Sequence, residues 1–146
     1  MAETPAAPER TRCLNILLVD DDEVDVMNVR RAFAKAHITN PLFVAHDGLE
    51  ALERLRAADF PCDRRLVLLD LNMPRMNGIE FLRELRADPV LHGTPVVVLT
   101  TSDDERDKVD AYDLNVAGYL LKPVTFASFV EIMAALNNYW TLVEMP

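Results

Sequence analysis

The chain has 146 residues, half of them hydrophobic and 27% charged, a balance that suits one globular domain and excludes disordered or collagen-like chains. Lys and Arg number 15 against 24 Asp and Glu, so the formal charge of -9 repels phosphate backbones and anionic lipid, and neither nucleic acid nor a membrane is expected as a partner. No apolar run approaches the ~18 residues of a bilayer span, and residues 1–12 lack the apolar core of a signal peptide, which makes a cytoplasmic location the expectation.

Residues 1–13 mix Pro, Ala and charge without periodicity and read as a flexible leader. The folded domain is expected over 14–138, with 139–146 extending its last helix and too short for a further DNA-binding or catalytic domain. Cys13 and Cys62 lack C-x-x-C spacing and nearby His partners, so they read as small apolar or surface residues. Five short apolar runs follow one another: Asn15–Val19, Leu42–Ala45, Leu66–Leu69, Val96–Leu99 and Gly118–Leu121. They are too short for helices, and three are apolar on both faces, as buried parallel strands are.

Between the runs the spacing is helical. Val26, Val29, Phe33 and Ala36 form one stripe, ended by Pro41. Asp47, Asn77 and Ser102 each stand three residues before a Glu, the signature of a capped helix start. A last helix begins near Thr125 and aligns Phe129, Ile132, Met133, Leu136, Tyr139 and Trp140. Five strands alternating with five helices imply right-handed crossovers and a three-layer, doubly wound α/β fold around a parallel five-stranded sheet.

In such a sheet the ligand site lies beyond the carboxyl ends of the strands. The residues there are Asp20-Asp21-Asp22, Asp70-Leu71-Asn72-Met73-Pro74, Thr100-Thr101-Ser102 and Lys122-Pro123, whereas His46-Asp47-Gly48 reads as a turn. Successive carboxylates repel one another unless screened, and a hard divalent cation such as magnesium meets that need with oxygen ligands and waters. Asp21 and Asp70 are the candidate ligands, with Asp20 acting through a water; a solvated acidic helix start is the alternative for the triplet. A carboxylate can also attack phosphorus, given donors for the charge that grows on the equatorial oxygens. Thr100 offers a hydroxyl and Lys122 an ammonium for that purpose, although a strand-end Thr and a Lys before a turn proline are each ordinary alone.

These residues resemble the receiver domain of two-component response regulators, the CheY-like family. The resemblance rests on ILLVDDD at 16–22, LLDLNMPRMNG at 68–78, PVVVLTTS at 95–102 and GYLLKP at 118–123, and spans nearly all of 14–138. It implies strand order 2-1-3-4-5 and a phosphoryl group accepted by Asp70 from a sensor histidine kinase. It further implies Mg2+ at Asp20, Asp21, Asp70 and the Asn72 carbonyl, and a phosphate-binding Lys122. Thr100 and Tyr119 then match the family's switch pair, although an aromatic on an edge strand is the bland alternative for Tyr119. Asn72 and Ser102, both small and polar, fall where the family tunes phosphoryl hydrolysis.

A narrower resemblance, carried by NPLFVAHDGLEAL at 40–52, a lengthened region before the third strand and the Tyr139-Trp140 end, is to single-domain regulators paired with bacterial phytochrome kinases. It implies a homodimer, and the apolar face continuing through Leu142 and Val143 is either its interface or a tail folded back on its own domain. The expected function is a phosphorylation-controlled switch acting on a downstream protein, not a turnover enzyme. One rival is a phosphate-independent interaction module. The other is a magnesium-dependent phosphohydrolase, whose D-x-D motif is broken here by Asn72.

Overall fold

The computed structural model describes residues 15–35, 41–57, 65–71, 73, 76–100 and 105–121. Strands β1 (Asn15–Val19), β2 (Leu42–Ala45), β3 (Arg65–Leu69), β4 (Val96–Thr100) and β5 (Gly118–Leu121) form one parallel sheet in the order β2-β1-β3-β4-β5. Helices α1 (Glu23–Lys35), α2 (Gly48–Arg56), α3 (Gly78–Ala87) and α4 (Glu105–Asp113) alternate with them. Two strands run one residue beyond their apolar stretches, to Arg65 and to Thr100, because ladder bonding continues through a polar residue that hydropathy treats as an end. The expected fifth helix, the leader and the C-terminal extension lie outside the described residues.

Strand alternation sorts the core into two layers. Leu17, Val19, Val67, Leu69, Val96 and Val98 face one side. There they meet Ala51, Leu52 and Leu55 of α2, Phe81, Leu82 and Leu85 of α3, and Ala111 of α4. Ile16, Leu18, Leu66, Leu68, Val97 and Leu99 face the other side, against Val26 and Phe33 of α1. Helices on both faces explain why the central strands are apolar throughout: each residue is buried whichever way it points. The chain leaves β1 towards β2 on one side and reaches β3 on the other, so the strand order reverses beside the end of β1.

The caps divide differently from the sequence pattern. At α3 the box is complete: Asn77 Oδ1 accepts from the Glu80 amide at 2.9 Å and Glu80 Oε1 from the Asn77 amide at 3.0 Å. At α2, Asp47 accepts from the Glu50 amide at 2.9 Å, but Glu50 Oε1 accepts from the His46 amide instead, at 3.0 Å. Ser102 lies outside the described residues.

The far end of α4 closes with a six-residue wrap. Val116 N–H donates to Ala111 O at 3.4 Å and Asn115 N–H to Tyr112 O at 3.0 Å, around Asn115 in the left-handed conformation at φ 60°. Val116 and Ala111, both buried in the same core layer, supply the apolar contact that accompanies this motif. Arg86 of α3 then takes up carbonyls that the helix end leaves over, donating to Leu114 O at 2.7 Å and Asn115 O at 3.1 Å, and also to His92 O and Thr94 O ahead of β4. Burial lowers its guanidinium pKa, and the negative pole of α4 faces the charge it retains.

Candidate functional site

Ladder hydrogen bonds continue past the last residues of β1 and β3 and hold the next backbones in place. Asp20 N–H donates to Ala45 O at 3.0 Å and Asp70 N–H to Val19 O at 2.9 Å. Two acids on adjacent central strands are thereby fixed side by side at the edge where strand order reverses. Both are buried, Asp20 at 1% and Asp70 at 6% relative exposure. Asp21, exposed, joins them: ligand oxygens of Asp20, Asp21 and Asp70 all lie within 4.8 Å of one another.

The third acid of the triplet takes another role. Asp22 Oδ1 accepts from the Val24 amide at 2.8 Å and its carbonyl from the Val26 amide at 3.1 Å, so it serves the start of α1. Asp20 Oδ1 in turn accepts from the Asp22 amide at 2.9 Å, a two-residue Asx turn that fixes its carboxylate. The acidic helix start and the acidic cluster, alternatives in the sequence, thus divide the triplet between them.

The loop after β3 is tied down on both sides. Gly78 N–H donates to Leu71 O at 3.0 Å, and Gly48 N–H at the start of α2 donates to Met76 O at 3.2 Å. Thr100 closes β4 with its backbone in register with Leu121, the residue before Lys122. Tyr119, half-buried on β5, stands opposite Val98, with its ring 6.4 Å from that of Tyr112 on α4. Asn72, Ser102 and Lys122 lie outside the described residues.

Among the described residues, this cluster is the one group of three or more acids, His or Cys close enough to share a metal ion. Three carboxylates at this spacing, two of them shielded from water, repel one another, and a hard cation that takes about six oxygens fits that donor set. His46, which reads as a mere turn residue in the sequence, pairs with Glu50 at 3.2 Å and Glu23 at 3.7 Å and so joins the starts of α2 and α1 beside β2. Its four-residue spacing from Glu50 is the available signal. Among the described residues, no helix is long and apolar enough to cross a membrane.

Comparison with known proteins points the same way as the geometry. The family model for the response regulator receiver domain matches residues 16–134. The chain is 35% identical over 128 residues to the response regulator Rcp1 of Synechocystis sp., covering 86% of this chain and 87% of Rcp1. A crystal structure of the Mn2+-bound form of Rcp1 superposes with a TM-score of 0.71 at 34% identity, covering 91% of this chain and 99% of that one. The phosphorylated cyanobacterial phytochrome response regulator RcpA gives 0.73 at 33% identity, covering 92% and 99%. The bacteriophytochrome response regulator RtBRR gives 0.72 at 39% identity, covering 85% and 78%.

Proposed function

Because the chain belongs to the response regulator receiver family of two-component signalling, whose members are switches driven by histidine kinases, we propose that Asp70 is its phosphoacceptor. The observation that carries the proposal is the convergence of Asp70 with Asp20 and Asp21 at the strand-order reversal. A carboxylate oxygen of Asp70 attacks phosphorus of a kinase phosphohistidine; the P–N bond breaks, its electron pair returns to the imidazole, and an acyl phosphate forms on Asp70. Asp20, Asp21, Asp70 and the Asn72 carbonyl would hold Mg2+, which when bound would supply positive charge against the phosphoryl oxygens. Thr100 donates its hydroxyl to one of those oxygens and Lys122 pairs with another. The backbones of Asp20 and Asp70 are held by strand hydrogen bonds, which fixes the positions from which their side chains meet the donor.

Occupation of the site draws Thr100 towards the phosphoryl group and lets Tyr119 turn inward, which changes the surface of α4 and β5 that a downstream protein reads. Water later attacks the acyl phosphate and returns inorganic phosphate, so any self-dephosphorylation resets the switch without making the protein a turnover enzyme. The likeness to phytochrome and bacteriophytochrome response regulators supports a phytochrome-type kinase as the donor. A homodimer built on the apolar face that continues through Leu142 and Val143, and a cytoplasmic location, complete the reading. The receiver extends over 14–138 on this reading.

Intact-protein mass after incubation with acetyl phosphate and Mg2+ tests the proposal. Wild type should gain about 80 Da, the mass of a phosphoryl group, while Asp70→Asn and chelator-treated wild type should not. If wild type gains no mass even with a cognate kinase in the cold, the phosphoacceptor assignment fails and the domain is a phosphate-independent interaction module. Release of phosphate from monoesters over many turnovers would make it a phosphohydrolase instead.

A further inference from the structure

Tyr119 is held from the α4 side by two residues one helical turn apart. The Tyr112 ring lies 6.4 Å from the Tyr119 ring at an interplanar angle of 31°, within the range over which aromatic pairs attract. Lys108 Nζ stands 6.0 Å from the centroid of the same ring, at the outer limit of a cation–π contact. Positions 108 and 112 share one face of α4 by their i, i+4 spacing, and Ala111 beside them is buried in the core layer that Tyr119 packs against. Tyr112 is itself 53% exposed, so little of its ring is needed to fill the core.

We infer that Tyr112 and Lys108 are positioning residues that hold the Tyr119 ring in its present orientation and thereby set the resting bias of the switch. The inference rests on the proposed phosphoacceptor reading, in which Tyr119 turns inward when Asp70 is modified. Contacts made in one state and lost in the other favour the first, by as much as they are worth. By linkage, removing them must tighten the site's hold on a phosphoryl group by the same factor. An aromatic pair of this kind corresponds to roughly a 2- to 10-fold shift.

The test titrates beryllium fluoride with Mg2+, a stable mimic of an acyl phosphate, into the full chain and follows the Tyr119 ring resonances. Tyr112→Ala should lower the half-saturating concentration roughly 2- to 10-fold and Lys108→Met by a smaller factor, whereas Tyr112→Phe, which keeps the ring, should restore the wild-type value. Before any addition, the Tyr119 resonances of Tyr112→Ala should already lie part of the way towards those of the saturated wild type. A loss of packing alone would not tighten binding. If wild type titrates, Asp70→Asn does not, and Tyr112→Ala shows equal or weaker binding, the positioning role is overturned while the phosphoacceptor reading stands. If wild type itself does not titrate, both fall together.

Discussion

A methyl group at Gly78 would meet Leu71 Cα at 2.6 Å, Leu71 Cδ2 at 2.7 Å and Asp70 O at 2.8 Å. Two of those atoms are backbone and cannot swing aside, so helix α3 approaches the proposed phosphoacceptor as closely as it does only because position 78 lacks a side chain. Gly78→Ala should therefore push the Asp70–Leu71 segment away from α3 and cost about 1–3 kcal/mol. It should also slow labelling of Asp70 by acetyl phosphate, since a misplaced nucleophile loses rate steeply. Thermal unfolding and the rate of mass gain, read on the same sample, check both effects. The sequence placed an Asn–Gly helix start here from its capping spacing, but not the closeness of α3 to Asp70, which arises only once β3 and α3 are packed.

Between elements, Arg86 ties two separate segments to α3. Its planar fork gathers four carbonyls from the turn after α4 and the segment before β4, none of them within five residues of it in sequence. Arg86→Met would remove those donors at once and should cost about 2–3 kcal/mol, seen as a lower urea midpoint with an unchanged slope. Asp88 anchors the same region. Its carboxylate accepts from the Val90 amide at 2.8 Å, from Arg56 at 3.0 Å and from the Leu91 amide at 3.0 Å, which together hold its pKa below the ordinary range. An unfolded Asp titrates near ~3.9, so the stability Asp88 contributes is complete above that pH and is lost as pH falls through its lower folded value. Urea melts between pH 3 and 7 should show a shallower acid decline for Asp88→Asn than for wild type.

None of these clamps is visible as a pattern. Strands were legible because burial on both faces writes unbroken apolar runs, and helix starts because capping is local. The partners of Arg86 and Asp88 lie across turns whose approach depends on the packed sheet. For the acidic triplet the sequence already pointed to Asp20 and Asp21 as the acids working with Asp70; what it left unassigned was Asp22, whose capping of α1 shows only in the folded backbone.

For the molecule as a whole, the acidic cluster sets stability against chemistry. Carboxylates gathered within 4.8 Å destabilise the fold that gathers them, and a cation bound only by the folded state offsets this. At about ten times its dissociation constant Mg2+ should add ~1.4 kcal/mol and raise the thermal midpoint by roughly 3–6 °C. The same addition should leave Asp70→Asn with a smaller gain, and differential scanning calorimetry with and without chelator measures the difference.

The parallel register has a consequence for how this molecule yields. Every strand ends at the acidic edge, and every strand begins at the opposite one, where Arg86 grips the approaches to β4 and β5. Amide hydrogens of Asp20 and Asp70, bonded to Ala45 O and Val19 O among buried strand ends, should exchange with solvent only when the central strands part, while those of the exposed turns near Arg86, such as His92 and Asn115, should exchange sooner. The domain should stay firm where the acids converge and give first at the end where its strands begin.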